Sequence, residues 1–348
     1  MPCHGFYPIS ARSQSIIIDG KHSKSVPLSY GVPQGSVLGP FLYTIYTLPL
    51  GDILRNFGIA YHLYADDTQL YLSFDVRDDD SLNNARETMQ RCVSLVKAWM
   101  TANKLKLNDE KTEVMFLSSP YFKSAISTPN FEIDETIIKP NSSARNIGIV
   151  FDSTLSMNQQ VNNMCKVAHF HLRNLGAVRK FISQEACAKL VHAFITSRLD
   201  YGNSLLSGIP DYQIYRLQRI LHIAARIVTL SPVSHDIINV LRNLHWLPIR
   251  QRIRYKILLL TFRALQGTAP EYISELLINY KPEKNLRSGV KDLLVVPKTN
   301  LVSAGDRALS VVAPKEWNKL PYHIKNTKTL SAFKKSIKTH LFSEVYED

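Results

Sequence analysis

The stretch YHLYADDTQLYLSF, residues 61–74, decides how this chain is read. Aromatic and aliphatic residues flank two adjacent carboxylates, Asp66 and Asp67. The pattern predicts a strand hairpin with both aspartates at its tip. Its strands are expected to bury Leu63, Leu70, Leu72 and Phe74. Two readings of the tip stay open. Asp is a common turn residue, and a two-residue match is cheap. Alternatively, the pair holds divalent metal. Mg²⁺ prefers hard carboxylate oxygens and keeps water and phosphate as its other ligands. Two such ions stabilise both the attacking and the leaving oxygen of a phosphoryl transfer. Successive strand residues point to opposite faces, so the two aspartates need not be equivalent.

Upstream, residues 31–40 read GVPQGSVLGP. Gly31 and Gly35 flank Pro33 and Gln34, and glycine lets a backbone approach a ligand closely. The loop leads to a helix start, a favourable place for phosphate, with Ser36 as the expected N-cap. An ordinary loop before a helix is the plain alternative. The following apolar segment reads as a buried helix that Gly39-Pro40 and Pro49 should bend or interrupt and Gly58 should close. Before the loop, residues 14–30 read as a hairpin turning at Asp19-Gly20. Beyond the opening stretch, residues 81–108 predict a long helix with Leu82, Met89, Val93, Val96 and Met100 as its apolar stripe. TEVMFL (112–117) reads as a strand, NFEIDETIIK (130–139) as a hairpin turning near Asp134-Glu135, and ARNIGIVFD (144–152) as a further strand. After about residue 155 the period becomes helical throughout, ending in an amphipathic helix with Phe333, Ile337 and Leu341 on one face.

The 348 residues suffice for one large or two ordinary domains. No apolar run is long enough to suggest a membrane span, and MPCHGFYPISARSQ (1–14) does not read as a secretory signal. Cys3, Cys92, Cys165 and Cys187 form no C-x-x-C pair, so reduced thiols of an intracellular protein are expected. The net charge of +13 is unevenly spread. Residues 1–155 hold 14 Lys+Arg against 16 Asp+Glu, whereas residues 156–348 hold 28 against 13. A basic second part favours a polyanionic partner, nucleic acid above all.

GVPQGSVLGPFLYTIY followed by YADDTQLY resembles the reverse transcriptases of non-LTR, LINE-type retrotransposons of the jockey kind. LKLNDEKTEVMFL, ARNIGIVFDSTLSM and the tail APKEWNKLPYHIKNTKTLSAFKKSIKTHLF extend the resemblance along the chain. It implies an RNA-directed DNA polymerase with an α+β fold: a partial polymerase palm over 1–155, an antiparallel sheet with packed helices. An all-α basic thumb over 156–270 and a C-terminal region over 271–348 would follow. It implies Mg²⁺ on Asp66 and Asp67, and a proton-donating role toward pyrophosphate for Lys111, for which a solvated turn lysine is the alternative. Template and nucleotide would meet Gly31, Pro33, Gln34, Gly35, Tyr64 and Ala65. Asn146, Ile147, Gly148 and Ile149 would form the primer grip. Lys166, Arg173, Arg179, Lys180, Arg216, Arg219 and Arg226 would touch the backbone of an RNA–DNA hybrid. For each, a solvated surface charge is the alternative. The implied partners are an RNA template, a DNA primer and deoxynucleoside triphosphates, with no membrane, in an element ribonucleoprotein of cytoplasm and nucleus.

The resemblance also implies a strand-borne aspartate ahead of GVPQG, and the only carboxylate there is Asp19, in a turn. Fingers, early palm and an endonuclease domain are likewise not recognised. The expectation is that this chain has little or no polymerase activity alone. A non-catalytic nucleic-acid-binding remnant, or a decayed fragment that does not fold stably, is the competing reading.

Overall fold

A computed structural model describes residues 13–27, 35–122, 129–134, 136–281, 292–299 and 305–347. Contacts divide the chain into two units, Met1–Thr112 with Asn130–Lys139, and Glu113–Pro129 with Pro140–Asp348.

In the first unit, β1 (Ser13–Gln14), β2 (Ile17–Ile18), β3 (Lys21–His22) and β4 (Val26–Pro27) form a short hairpin that turns at Asp19-Gly20, both at positive φ. Helix α1 (Gly39–Asn56) starts at Leu38 rather than Ser36. The Ser36 side chain makes no cap; its carbonyl accepts from the Gly39 amide in a preceding turn. Pro40 sits in the first turn, where its missing N–H costs nothing. Pro49 lies inside the helix, which runs through it unbroken. Gly58 takes a positive φ and donates to the Arg55 carbonyl, closing the helix as expected.

The hairpin β5 (Ala60–Tyr64) and β6 (Asp67–Tyr71) follows, with Tyr64 opposite Asp67. Helix α2 (Asp79–Ala102) begins at Asp78, whose carboxylate accepts from the Asp80 amide. Its stripe packs as predicted. Cys92 and Val96 join Leu50, Leu54 and Ile59 in the core, and Met89 and Met100 lie against them. Leu70 and Leu72 cover the same core half-buried, but Leu63, although on the same ladder face as Tyr61 and Leu70, is exposed: it adjoins the turn and is not among the residues packed on that core. On the far side of α1, Leu38, Phe41, Ile45 and Leu48 form an exposed apolar stripe. The hairpin of β7 (Phe131–Ile133) and β8 (Thr136–Ile138) packs on α2. Lys97 of α2 bridges Asp134 at its turn (3.1 Å) and Asp109 (3.2 Å).

The second unit opens with two corrections. TEVMFL is extended but forms no ladder, its segment making isolated bonds such as Asn141 N–H to the Val114 carbonyl. ARNIGIVFD is a hairpin, not one strand: β9 (Ser143–Asn146) pairs with β10 (Ile149–Asp152) across Ile147-Gly148, both at positive φ. One glycine between two short strands is enough to turn the chain, although Ile147 is an unfavourable residue there. All sheets among the described residues are two-stranded hairpins, rather than the one layered sheet expected. Each ladder closes locally, β1–β4 around the nested β2–β3 turn.

The remainder is helical: α3 (Asn158–Val178), α4 (Gln184–Val191), a π-turn at His192–Thr196, α5 (Ser197–Asp200), α6 (Asp211–Thr229), α7 (Ile237–Asn243), α8 (Ile249–Leu265), α9 (Glu271–Ser274), α10 (Leu309–Lys319), α11 (Tyr322–Lys325) and α12 (Leu330–Tyr346). Helices α3 and α6 run parallel. Asn158 at the start of α3 accepts from Tyr212 and Gln213 at the start of α6, and Arg179 beyond the end of α3 bonds the last carbonyls of α6. They share a core with α4, α7 and α8. Phe333, Ile337 and Leu341 of α12 are fully buried against Leu258, Phe262 and Trp317. No helix among the described residues is long and apolar enough to cross a membrane.

Two measurements check this account. Ala65 holds a φ of 52° at the β5–β6 turn, where an L side chain costs roughly 1–2 kcal/mol and glycine costs only part of that in chain entropy. Ala65→Gly should therefore raise the urea midpoint, by about 0.5–1 kcal/mol of stability. His222 of α6 has its pKa held below 6.5 by burial and then by Arg226. Its folded state resists protonation, so its contribution is complete above about pH 6.5 and declines as pH falls toward the lowered value. The melting temperature should be lower at about pH 5.5 than at about pH 7.5, and the difference should shrink in His222→Gln.

Candidate active site and nucleic-acid interface

The β5–β6 hairpin presents its aspartates through a two-residue turn, Ala65-Asp66. Asp66 lies in the turn, and Asp67 is the first residue of β6. Both are exposed. Tyr43 of α1 is half-buried, and its phenol pKa is raised by burial and then by the negative charge of Asp66. Sequence reasoning did not single out Tyr43; only folding brings it within reach of the charge on Asp66. Tyr64 precedes the turn with its ring 60% exposed.

Two adjacent, exposed carboxylates fit Mg²⁺ in kind, since that ion is often held by one or two carboxylates plus substrate phosphate. No group of three His, Cys, Asp or Glu side chains placed to hold a metal occurs among the described residues. Lys111 ends a 3-10 turn, Asp109–Lys111, capped by Asn108 and anchored by the Lys97–Asp109 bridge, and it is solvent-exposed. Gly31, Pro33 and Gln34 lie outside the described residues. Gly35 has a φ of 84°, a conformation that favours glycine, with open space where a Cβ would stand.

In the second unit, Asn146, Ile147, Gly148 and Ile149 form the tip of the β9–β10 hairpin. The helices prop this tip. Tyr201 donates its hydroxyl to the Ile147 carbonyl at 2.6 Å, and its ring meets the open face of Gly148. Ile149 packs so closely on Gly202 that a Cβ there would overlap its Cδ1. Gln160 of α3 accepts from the Val150 amide at 3.0 Å. At the base, Asp152 accepts from the amides and hydroxyls of Thr154 and Ser156. Burial raises its pKa, but these four bonds outweigh burial and hold it below the usual value. Arg307, more than 100 residues on, donates to the carbonyls of Leu155, Leu205 and Ser207. Of these supports, only the DYGN turn around Gly202 has a local signal. Tyr201, Gln160 and Arg307 act through contacts distant in sequence.

The basic residues divide. Lys166 and Arg173 of α3 and Arg219 of α6 are exposed, far from the apolar stripes of their helices. Lys180 is exposed and lies 4.9 Å from the Phe181 ring. Arg216 is half-buried, close enough to act on Cys165. Arg226 bonds the carbonyls of Pro232 and His235, tying down the loop after α6. Arg179 leaves the surface set altogether. It is buried, and its guanidinium donates to Ile227, Val228 and Ile182 carbonyls at 2.8–2.9 Å. A charge run at a helix end reads the same in sequence whether it faces phosphate or caps a neighbouring helix.

Removing Arg179 strands buried carbonyls, whereas removing Arg173 strands nothing. Arg179→Met should lower stability by roughly 2–3 kcal/mol in chemical denaturation, and Arg173→Met should stay within about 0.5 kcal/mol of the unmutated chain.

Residues 2–164 match the family of reverse transcriptases, RNA-dependent DNA polymerases. The "Probable RNA-directed DNA polymerase from transposon BS" of Drosophila melanogaster is 30% identical over 173 residues, 44% of this chain and 17% of that protein. The "RNA-directed DNA polymerase from mobile element jockey" of the same organism is 24% identical over 162 residues, 45% of this chain and 17% of that protein. The "Probable RNA-directed DNA polymerase from transposon X-element" is 24% identical over 208 residues, 57% of this chain and 22% of that protein. The aligned part thus spans about a fifth of the length of these relatives. No solved structure matches the chain. The double-aspartate hairpin therefore lies inside a segment, residues 2–164, that matches the reverse transcriptase family and is related to the jockey, BS and X-element proteins.

Proposed function

We propose that this chain is the metal-binding hairpin and hybrid-gripping part of an RNA-directed DNA polymerase of a non-LTR retrotransposon. The observation that carries the reading is the exposed Asp66-Asp67 pair on a tight β-turn within the matched segment. In this reading residues 1–155 contribute part of a polymerase palm, 156–270 a thumb and 271–348 a C-terminal region. Asp66 and Asp67 hold Mg²⁺, which when bound neutralises charge developing on the transferred phosphate. Ala65 and Tyr64 shape the tip that receives the nucleotide, together with the 31–35 loop. The exposed Lys111 is placed in a rigid turn from which it donates a proton to leaving pyrophosphate. The β9–β10 tip, braced by Tyr201 and Gly202, steadies the primer end. Lys166, Arg173, Lys180 and Arg219 meet phosphates of the RNA template–DNA primer hybrid by shape and charge rather than sequence. With two carboxylates and no third among the described residues, this chain alone binds metal weakly and turns over little or no deoxynucleoside triphosphate. The alternative, a nucleic-acid-binding remnant, shares the same basic surface and differs only in what the aspartates do.

Binding of an RNA–DNA hybrid to the purified chain should weaken at least tenfold between about 50 and 200 mM salt. Lys166→Ala, Arg173→Ala and Arg219→Ala should each reduce the log–log salt slope by about one. Salt-independent binding would sink the nucleic-acid reading. Primer extension abolished by Asp66→Ala would instead show that two carboxylates suffice for catalysis.

A further inference from the structure

The outer face of α6 carries two features that phosphate binding does not require. Tyr212 and Tyr215 are 57% and 62% exposed. With Arg216 and Arg219 they occupy positions i, i+3, i+4 and i+7 of one helix, so all four share a face. A helix that needed these rings for its core would have turned them inward, and α6 already has a complete apolar stripe through Ile214, Leu217, Ile220, Leu221, Ala224 and Val228.

We propose that the tyrosines of this face are a stacking platform for the unpaired bases of a single-stranded nucleic acid, beside the grip on the hybrid duplex and sharing Arg219 with it. The inference rests on the nucleic-acid reading above and adds a strand class to it. Tyr212 is held in place by its tip. Its hydroxyl donates to Asn158 Oδ1 at 3.0 Å and accepts from Gln213 Nε2 at 3.2 Å, while the ring stays open to solvent. A ring fixed in this way loses little freedom when a base lies on it. Arg216 and Arg219 have no carboxylate within ion-pair distance among the described residues. The nearby acid at the helix start, Asp211, is matched by Arg250 at 2.6 Å. The face is therefore positive and aromatic together. Aromatic rings alternating with cations accept successive bases and their phosphates without regard to sequence. A duplex hides its base faces, so the tyrosines distinguish an unpaired strand from a paired one.

The test uses the full chain and three labelled probes, oligo(U), oligo(dT) and a blunt RNA–DNA hybrid, read by fluorescence anisotropy. Tyr215→Ala should weaken binding of at least one single strand roughly tenfold, with hybrid affinity held within about twofold and the salt slope unchanged. Tyr215→Phe, which keeps the ring, should bind as the unmutated chain does. Arg219→Ala, in contrast, should weaken all three probes. Equal losses on hybrid and single strand in Tyr215→Ala, or no loss on either single strand, would overturn the platform. So would hybrid binding by the unmutated chain with no single-strand binding at all, and in that case the parent reading would survive. Failure to bind any probe would overturn both.

Discussion

A buried cation ties α3 to α6 in the second unit. Arg179 lies just past the end of α3 and directs its guanidinium at the carbonyl end of α6. A helix C-terminus offers unpaired carbonyls and a partial negative charge, so a guanidinium there satisfies both at once. At the opposite end, Asn158 ties the two helices through Tyr212 and Gln213. These two ties fix α3 and α6 parallel and set their rotation. That rotation sends Met164, Leu172, Leu217 and Leu221 into a shared core and leaves Lys166, Arg173 and Arg219 in solvent. The basic surface is thus a consequence of how the interior is pinned.

The two hairpins that carry candidate site residues, one in each unit, are stabilised in different ways. The β5–β6 hairpin is a local object, with a two-residue turn, a five-residue ladder and one face on the α1–α2 core. Its aspartates are held where they are by adjacent sequence. The β9–β10 hairpin has a strained tip, with Ile147 at a positive φ, and takes its support from elsewhere. Tyr201, Gly202 and Gln160 support the tip, and Asp152 and Arg307 organise the loop at its base. Arg307 lies at the start of the last helical segment, which links that segment to the hairpin through three main-chain carbonyls. A substitution far from the tip in sequence can therefore act on it directly.

Much of this was legible in the sequence. Periodicity determined the long helices, including the fully buried face of α12. Turn chemistry determined the hairpins at Asp19-Gly20, at the double aspartate and near Asp134. The motifs around residues 31–40 and 61–74 carried the family, and the comparisons agree. Local signals misled where they were weak. A single Gly148 inside a β-branched run was read as strand and is a turn. Ser36 resembled a helix cap, but the helix begins two residues beyond it, where Pro40 falls in its first turn.

What the sequence determined by itself is local: where the backbone turns, which helix face is apolar, and that two carboxylates sit at one turn. Each of these depends on neighbouring residues and the fixed periods of helix and strand. Only the tertiary structure decided that Leu63 is exposed, that Tyr43 feels the charge of Asp66, that Arg179 caps a helix rather than meeting phosphate, and that Arg307 organises a loop some 150 residues away. Those outcomes follow from the requirement that buried carbonyls and charges find partners, and the partners are chosen by proximity in the folded chain.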